Sequence, residues 1–176
     1  MYLDNTLKIK ELWENNIDEI LILQKKVLDS LQNLFKWNEL FFSNTKEEFK
    51  YLLNAKNNYA IGFYDNKLIA YSVIDKDVSI YEWKTLLPFD FNKSAQIDIV
   101  VVSPAYQWKG YWKKILSEIE NKYINKHSYI KTLFSTVSPY NKASLKMFLS
   151  CWYFIDWLFK KHNKYYRVIL RKELSN

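Results

Sequence analysis

The 176-residue sequence has only two glycines, Gly62 and Gly110, where average usage predicts about 12. Tryptophan is in excess, with seven residues. About half of the residues are apolar, and charges of both signs are interspersed among them. This composition excludes fibrous and disordered chains and indicates a globular protein. The deficit of glycine beside the excess of tryptophan calls for an explanation.

Cysteine is limited to Cys151, so no intrachain disulfide can form. No segment approaches the roughly 18 apolar residues that a membrane span needs. The first residues, MYLDNTLKIK, lack the charged region and long apolar run of a signal peptide. We therefore expect a cytoplasmic protein with no membrane partner, folded as a single domain over residues 1–176.

Positive charge exceeds negative charge, with 26 Lys and Arg against 19 Asp and Glu and a formal net charge of +7. The excess favours an anionic partner, and nucleic acid, a polyphosphate cofactor and plain solubility all fit it. The basic residues are scattered and form only small groups, such as Lys113-Lys114 and Lys160-Lys161. This scatter argues against a dedicated nucleic-acid-binding protein.

The hydrophobic pattern predicts the element order β α α β β β α β α β β, which is mixed α/β. Predicted strands cover residues 6–12, 59–64, 67–74, 96–102, 129–137, 153–159 and 164–172, and predicted helices follow Asn16 and Thr45 and cover 109–126 and 140–151. Capping boxes are predicted for Asn16 with Glu19 and for Thr45 with Glu48. Asp65-Asn66 predicts a tight hairpin. Residues 77–93 show no period and are interpreted as a long connection or an inserted lobe.

The segment VVVSPAYQWKGYWKKIL, residues 100–116, leads from a predicted strand into a predicted helix. A helix that starts after a strand presents unpaired N–H groups and the positive end of its dipole to an anion. Gly110 permits close backbone approach, and Lys109, Lys113 and Lys114 add positive charge. A diphosphate would fit this loop, although the same features also fit a solvated turn.

The same segment resembles the GNAT superfamily of acetyl-CoA-dependent N-acetyltransferases. The family's loop reads V-x-P-x-x-[Q/R]-x-x-G-x-[G/A], and this chain has Val102, Pro104, Gln107 and Gly110 in register. Trp112 stands where the family has Gly or Ala.

A second segment, TVSPYNKASLKMFLSCWYF, resembles another part of the family, an Asn followed by a short helix and an aromatic-Gly-Phe ending. Asn141 and Phe154 match, and Trp152 stands in place of the glycine. The predicted element order is similar to the family fold over nearly the whole chain. The resemblance implies the GNAT acyl-CoA acyltransferase fold, an α/β (α+β) architecture with a central mixed, mostly antiparallel sheet of about seven strands flanked by helices.

The resemblance also implies transfer of an acetyl group from acetyl-CoA to a primary amine of a small molecule or peptide, by direct transfer. The main chain of Val100, Val101 and Val102 would pair with the pantetheine arm, and Asn141 would contact the co-substrate near its reactive end. The diphosphate would be held by the main-chain N–H groups of Gln107, Trp108, Lys109, Gly110, Tyr111 and Trp112. A homodimer is compatible with the resemblance.

Two interpretations of Trp108, Trp112 and Trp152 remain open. In the first they are core aromatics, since Trp112 extends the apolar face of one predicted helix and Trp152 that of the next. In the second they occupy positions where the backbone needs glycine, and the gene uses UGA as a glycine codon that was translated as tryptophan. Trp157 is a fourth candidate. UGG codons at residues 108, 112 and 152 would end the second interpretation.

Acetyl transfer needs a polarised thioester carbonyl, a deprotonated amine and a proton for the leaving thiolate. The family often uses a Tyr on the helix after the Asn as the acid, and this chain has Phe148 there. Tyr140 is a candidate acid and Asp98 a candidate base, although packing and solvation explain such residues equally well. Cys151 has no His placed to activate it.

The single cysteine and two histidines give no metal-ligand set with credible spacing, so we expect no metal. Residues 77–93 are expected to contribute to the acceptor site, with an aromatic wall of Tyr81, Trp83 and Phe91. Three hypotheses follow: an N-acetyltransferase, a catalytically inactive ligand-binding or regulatory domain of the same fold, and a nucleic-acid-binding domain supported by charge alone.

Overall fold

The computed structural model describes residues 7–34, 37–56, 58–78, 89–107, 110–160 and 165–174. Seven strands form one sheet in the order β1-β2-β3-β4-β5-β7-β6. The strands are β1 Lys8–Glu11, β2 Tyr59–Asp65, β3 Lys67–Asp75, β4 Ser94–Val102, β5 Thr132–Val137, β6 Phe154–Lys160 and β7 Tyr166–Glu173. The helices are α1 Ile17–Leu31, α2 Trp37–Leu40, α3 Lys46–Asn54, α4 Tyr111–Lys126 and α5 Lys142–Leu149.

Helices cover both faces of the sheet, and each face has its own apolar core. One core joins the sheet to α4 and α5 and includes Ile115, Ile119 and Phe148. The other joins the sheet to α1 and α3 and includes Ile20 and Phe49. The predicted fold class, a mixed and mostly antiparallel sheet flanked by helices, is therefore confirmed.

Strands β4 and β5 form the parallel pair of this otherwise antiparallel sheet. They pair only through Ser94–Gln96 and Thr132–Phe134, although β4 continues to Val102 and β5 to Val137. The two strands therefore diverge beyond Gln96. The divergence leaves one edge of the second half of β4 without a partner strand.

A β-bulge at Asp98 lies where this divergence begins. Val73 of β3 pairs with Ile99 and Ile74 pairs with Ile97, so Asp98 is the extra residue in β4. Because a bulge reverses the alternation of side chains, Ile97 packs in the core with α4 and α5, whereas Ile99 packs in the core with α1 and α3. The bulge turns Asp98 away from both cores.

Local signals in the sequence had mixed outcomes. The capping box of α3 is present, since Glu48 N–H donates to Thr45 Oγ1 (3.2 Å) and Thr45 N–H donates to Glu48 Oε2 (2.6 Å). The box predicted at Asn16 is wrong, because Asn16 Oδ1 accepts instead from Trp13 N–H (3.0 Å) and makes no side-chain cap on α1. Within the unpatterned stretch, residues 79–88 lie outside the described part of the chain.

Candidate functional site

A cavity of about 670 Å³ lies between the diverging half of β4 and helix α5. Val100–Val102 form one wall and Asn141–Met147 contribute to the opposite wall. Gly110 and Trp112 lie at one end, and Leu40, the last residue of α2, lies at the side. The fold thus brings together the two segments that carried the family resemblance, although they are about 40 residues apart in the sequence.

The main chain of β4 offers hydrogen-bonding groups to this cavity. In an antiparallel pair, alternate residues direct their N–H and C=O groups toward the partner strand. Ser103 N–H donates to Ile69 O (2.8 Å), next to β4 on the β3 side. Val101 shares the orientation of Ser103, so Val100 and Val102 direct their main-chain groups toward the cavity.

Helix α4 begins at the other end of the cavity. Gly110 is its N-cap with φ 79°, a left-handed conformation that favours glycine. A Cβ at Gly110 would meet nothing within 4 Å, so conformation and not space requires glycine there. The first N–H groups of the helix, through Lys113, have no partner within the helix, and they form a ready anion site.

The charges around this cavity have one sign. Lys113, Lys142 and Lys146 line it, and no carboxylate lies among its described lining residues. Lys142 and Lys146 are one helical turn apart on α5, so they lie on the same face of that helix. The cavity therefore favours a polyanionic ligand.

The loop before α4 is held by its own hydrogen bonds. Gln107 N–H donates to Ser103 O (3.1 Å), and Gln107 Nε2 donates to Val102 O (3.2 Å). Tyr106 OH donates to Asp65 Oδ2 (2.5 Å) and ties the loop to the β2–β3 hairpin. The main-chain N–H and the side-chain amide of Gln107 both form hydrogen bonds within the loop. Trp108 and Lys109 lie outside the described residues.

A smaller cavity of about 220 Å³ continues from the first one, past Val100, Asn141 and Met147, which line both. Asp98 and Arg167 line only the smaller one of the two. Gln96 Nε2 donates to Asp98 Oδ1 (3.1 Å). A ligand that lies along β4 in the large cavity would therefore end next to a second ligand that occupies the small cavity beside Asp98.

The segment between α2 and α3 covers both cavities and is fastened at two points. Gln24, which is buried in α1, donates from Nε2 to Asn44 O (2.8 Å) and accepts from Asn44 N–H (2.9 Å). Asn141 Nδ2 donates to Leu40 O (3.2 Å), while its Oδ1 caps α5 by accepting from Ser144 N–H (3.0 Å). Asn141 therefore positions this cover as well as the helix.

Beyond Asp98 the smaller cavity opens to a third, acidic one of about 400 Å³. Glu47, Glu48 and Tyr51 of α3 line this mouth together with Asp98. The two ends of the channel thus carry opposite charge, with lysines around the larger cavity and carboxylates at the far mouth.

A sequence model of the acetyltransferase (GNAT) family matches residues 27–153, which is more than half of the chain. The chain belongs to the GNAT acetyltransferase family. No protein among the curated sequences is significantly similar to it in sequence.

Several solved GNAT structures share the fold at low identity. The PaiA N-acetyltransferase of Thermoplasma acidophilum in complex with coenzyme A is 12% identical, with a TM-score of 0.70 over 96% of this chain and 99% of that one. The ribosomal-protein-S18-alanine N-acetyltransferase of Escherichia coli is also 12% identical, with a TM-score of 0.70 over 97% and 96%. The GNAT domain of S. lividans PAT is 15% identical, with a TM-score of 0.72 over 96% and 90%.

The residues predicted for proton transfer lie at different parts of this GNAT channel. Asp98 lines the small cavity, and Tyr140, 42% exposed, lines the large one just before α5. Phe148 is buried, lines the small cavity and packs edge-on against Tyr153 (ring centroids 4.9 Å). Phe148 provides no proton donor where the family often has a tyrosine.

Cys151 lies outside the lining of all three cavities. Burial raises the pKa of its thiol, and the charge of Glu120 adds to this, although a hydrogen bond with Ser150 opposes it. The thiol is therefore protonated at neutral pH. This agrees with its interpretation as an ordinary thiol and not a nucleophile.

Trp152 has the backbone of a glycine. Its φ is 68°, and Tyr153 N–H donates to Phe148 O (3.2 Å) while Trp152 N–H donates to Leu149 O (3.3 Å). This is the Schellman pattern that ends helices, and glycine usually occupies the position of Trp152 in it. The indole is 85% exposed, so the interpretation of Trp152 as a core aromatic is wrong.

The other tryptophans differ from Trp152. Trp112 is partly buried, packs against the core below α4 and also lines the large cavity, so both interpretations retain support there. Trp157 is 53% exposed on β6. Trp108 lies outside the described residues, and the use of UGA as a glycine codon stays a prediction.

Several residues of the channel carried no signal in the sequence. Phe42 and Arg167 line the small cavity from distant parts of the chain, and Gln24 of α1 fastens its cover through Asn44. Lys142 and Lys146 were within reach of prediction, because they follow the matched Asn141 at helical spacing. Of the predicted aromatic wall, Phe91 packs on Phe134 (ring centroids 6.4 Å) and lines none of the three cavities. Tyr81 and Trp83 lie outside the described residues, so the wall stays a prediction.

Within the described ranges, no helix is both long and apolar enough to cross a bilayer. In the same part of the chain, no group of three or more His, Cys, Asp or Glu side chains has an arrangement that could hold a metal ion.

Proposed function

We propose that this GNAT protein is an N-acetyltransferase that moves an acetyl group from acetyl-CoA to a primary amine of a small molecule or peptide, by direct transfer while both are bound. A single observation carries the proposal: the divergence of β4 from β5 opens one continuous channel from the start of α4 to Asp98. A cytoplasmic setting is part of the proposal, since one cysteine needs no oxidising compartment.

The residues present fit acetyl-CoA. The free N–H groups at the start of α4 and the lysines of the large cavity suit its diphosphate. The main-chain groups of Val100 and Val102 that point into the cavity suit the amides of its pantetheine arm, as a β-strand partner would. Acetyl-CoA supplies the activated acyl group as a thioester.

The chain's own groups would then act from both sides of the junction of the two cavities, since Val100 lines both, Asp98 the small one and Tyr140 the large one. The amine nitrogen would bond to the thioester carbon as the C–S bond breaks, and Val100 N–H would donate to the thioester oxygen and stabilise the negative charge that develops there. Asp98 accepts a proton from the attacking amine, directly or through water. Tyr140 supplies a proton to the departing thiolate. Holding both reactants at the junction contributes much of the rate by itself.

A second candidate function is a ligand-binding or regulatory domain without catalysis. Two observations favour it: the indole of Trp112 lines the co-substrate cavity, and Phe148 stands where the family often has its acid. Such a domain would bind a ligand in the channel and turn nothing over.

Calorimetric titration with acetyl-CoA, followed by thiol release with a panel of primary amines, tests these proposals. An N-acetyltransferase gives saturable binding and amine-dependent thiol release. Saturable binding with no thiol release for any amine would support the inactive domain. No binding at all would contradict both.

A further inference from the structure

Arg167 is a buried cation in the small cavity. It lies in β7, is 5% exposed and lines the cavity together with Asp98. Phe42 covers it, with the guanidinium carbon 4.4 Å from the ring centroid. Burying a charge is costly unless it is paired, so its partners decide what the cavity is built for.

The guanidinium of Arg167 has five N–H donors. Among described residues, one hydrogen bond uses them, from an Nη1 to Tyr166 O (2.9 Å). Burial lowers the pKa of Arg167, and the charge of Glu39 opposes this shift. Glu39 is outside the described lining of the small cavity, so donors of Arg167 remain for a ligand inside it.

Arg171, four residues later on the same strand, shows what an arginine paired with protein carboxylates looks like here. Its guanidinium carbon lies 4.2 Å and 4.4 Å from the rings of Phe89 and Phe154. It also forms ion pairs with Asp156 (2.7 Å) and with Glu173. Arg171 thus has protein carboxylates where Arg167 has a cavity.

We infer that Arg167 binds a carboxylate of the acceptor, so that the acceptor is an amino acid and not a simple amine. This inference rests on the proposed function. A planar carboxylate accepts two parallel hydrogen bonds from a guanidinium, and the ammonium of the same molecule finds Asp98 in the same cavity. The opposite charges of Arg167 and Asp98 match those of a zwitterion.

The size of the cavity agrees with an acceptor of this class. Its 220 Å³ is about a third of the 670 Å³ of the large cavity. That space suits a single amino acid. The acidic mouth of Glu47 and Glu48 beyond Asp98 repels a carboxylate, which leaves the Arg167 end as the place for it.

Thiol release with matched pairs of acceptors tests the inference: lysine with cadaverine, arginine with agmatine, and phenylalanine with phenethylamine. Each pair differs only in the carboxylate. For the unaltered protein, at least one amino acid should exceed its decarboxylated partner in kcat/KM by roughly 30-fold or more. Equal values, or preference for the decarboxylated amines in every pair, would overturn the inference while leaving the acetyltransferase activity in place.

The variant Arg167→Gln should remove that preference by raising KM for the amino acid, with the decarboxylated amine affected little. Arg167→Lys, which keeps the charge without the planar fork, should fall between the two. Arg171→Gln is the matched control and should lower the melting temperature without changing acceptor preference. An equal loss for both members of a pair in Arg167→Gln would show a merely structural role.

Two further readouts separate this inference from the proposed function. Acetyl-CoA titration of Arg167→Gln should match the unaltered protein, because Arg167 is outside the described lining of the large cavity. If no acceptor is turned over, binding of the three amino acids in the presence of coenzyme A still decides: Arg167-dependent binding supports the carboxylate site, and none refutes it. If neither Arg167 variant folds, the acceptor preference of the unaltered protein decides alone.

Discussion

The two ends of the channel offer a ligand different parts of the chain. At the α4 end the groups on offer are main-chain ones, those of Val100 and Val102 and of the first turn of a helix begun by Gly110. At the far end they are the side chains of Asp98 and Arg167, which we propose bind the acceptor. A main-chain site tolerates many sequences, whereas a side-chain site changes with each substitution. The difference explains how a family can keep one co-substrate while its acceptors vary.

Substitution of Asp98 by Asn should give the largest difference between the two ends, because it affects turnover of the acceptor and not binding of acetyl-CoA. We expect kcat/KM to fall about 100-fold, because the amine loses its proton acceptor. Acetyl-CoA binding should stay unchanged. Glu47→Gln, in the outer mouth, is the control and should change kcat/KM by no more than about twofold. A loss of acetyl-CoA binding in Asp98→Asn would show that the two ends are not separable.

Gln24→Met tests the cover that both ends share. The main-chain N–H and C=O of Asn44 lose their partner, so the free energy of unfolding should fall by about 2 kcal/mol in urea denaturation. Because Asn44 lines the smaller cavity and the mouth but not the larger cavity, the acceptor KM should rise more than the acetyl-CoA Kd. Gln32→Met, on an exposed position, should leave all three quantities unchanged. A larger rise in the acetyl-CoA Kd than in the acceptor KM would contradict the division of the channel into a co-substrate end and an acceptor end.

Trp112→Gly tests whether the indole at the main-chain end limits the affinity for acetyl-CoA. Without the indole, the diphosphate can approach the first N–H groups of α4 more closely, so calorimetry should show acetyl-CoA binding about tenfold tighter, equivalent to about 1.4 kcal/mol. The melting temperature should fall, because Trp112 also packs against the core. Trp157→Gly, outside the three cavities, should leave the affinity as it was. Weaker binding in Trp112→Gly would identify the indole as part of the site.

The smallest effect concerns a position outside both ends. Trp152→Gly should raise the free energy of unfolding by about 1 kcal/mol, because it relieves a left-handed residue and the 85% exposed indole buries little. Asn66→Gly is the matched control, with φ 55° at a residue type that tolerates this conformation. Its gain in urea denaturation should be smaller. Destabilisation of Trp152→Gly would show that the indole makes a contact of its own.

The sequence predicted the main-chain end far better than the side-chain end, for a physical reason. The strand, turn and helix start between Val100 and Trp112 are contiguous, so their geometry follows from local spacing. The small cavity gathers Phe42, Asp98 and Arg167 from separate parts of the chain, and Gln24 of α1 holds the segment that covers it. Asp98 was reachable because it precedes the matched strand, but the bulge that aims it depends on the register with β3.

Arg167 is an example of a site residue that could not be predicted from the sequence. In the sequence it is one basic residue among 26, and nothing in its neighbours separates it from Arg171. Only the pairing of β7 with β5 and β6, and the cover by Phe42, bury one arginine against a cavity and the other against carboxylates. Acceptor chemistry therefore required the fold.

A crystal structure of the protein with coenzyme A tests most directly whether β4 and the start of α4 form the co-substrate site. We predict that the pantetheine arm runs along Val100 to Val102 with main-chain hydrogen bonds, and that the diphosphate contacts the N–H groups from Gly110 to Lys113. Coenzyme A bound elsewhere, or a channel filled by the Trp112 indole with no ligand in it, would contradict this arrangement.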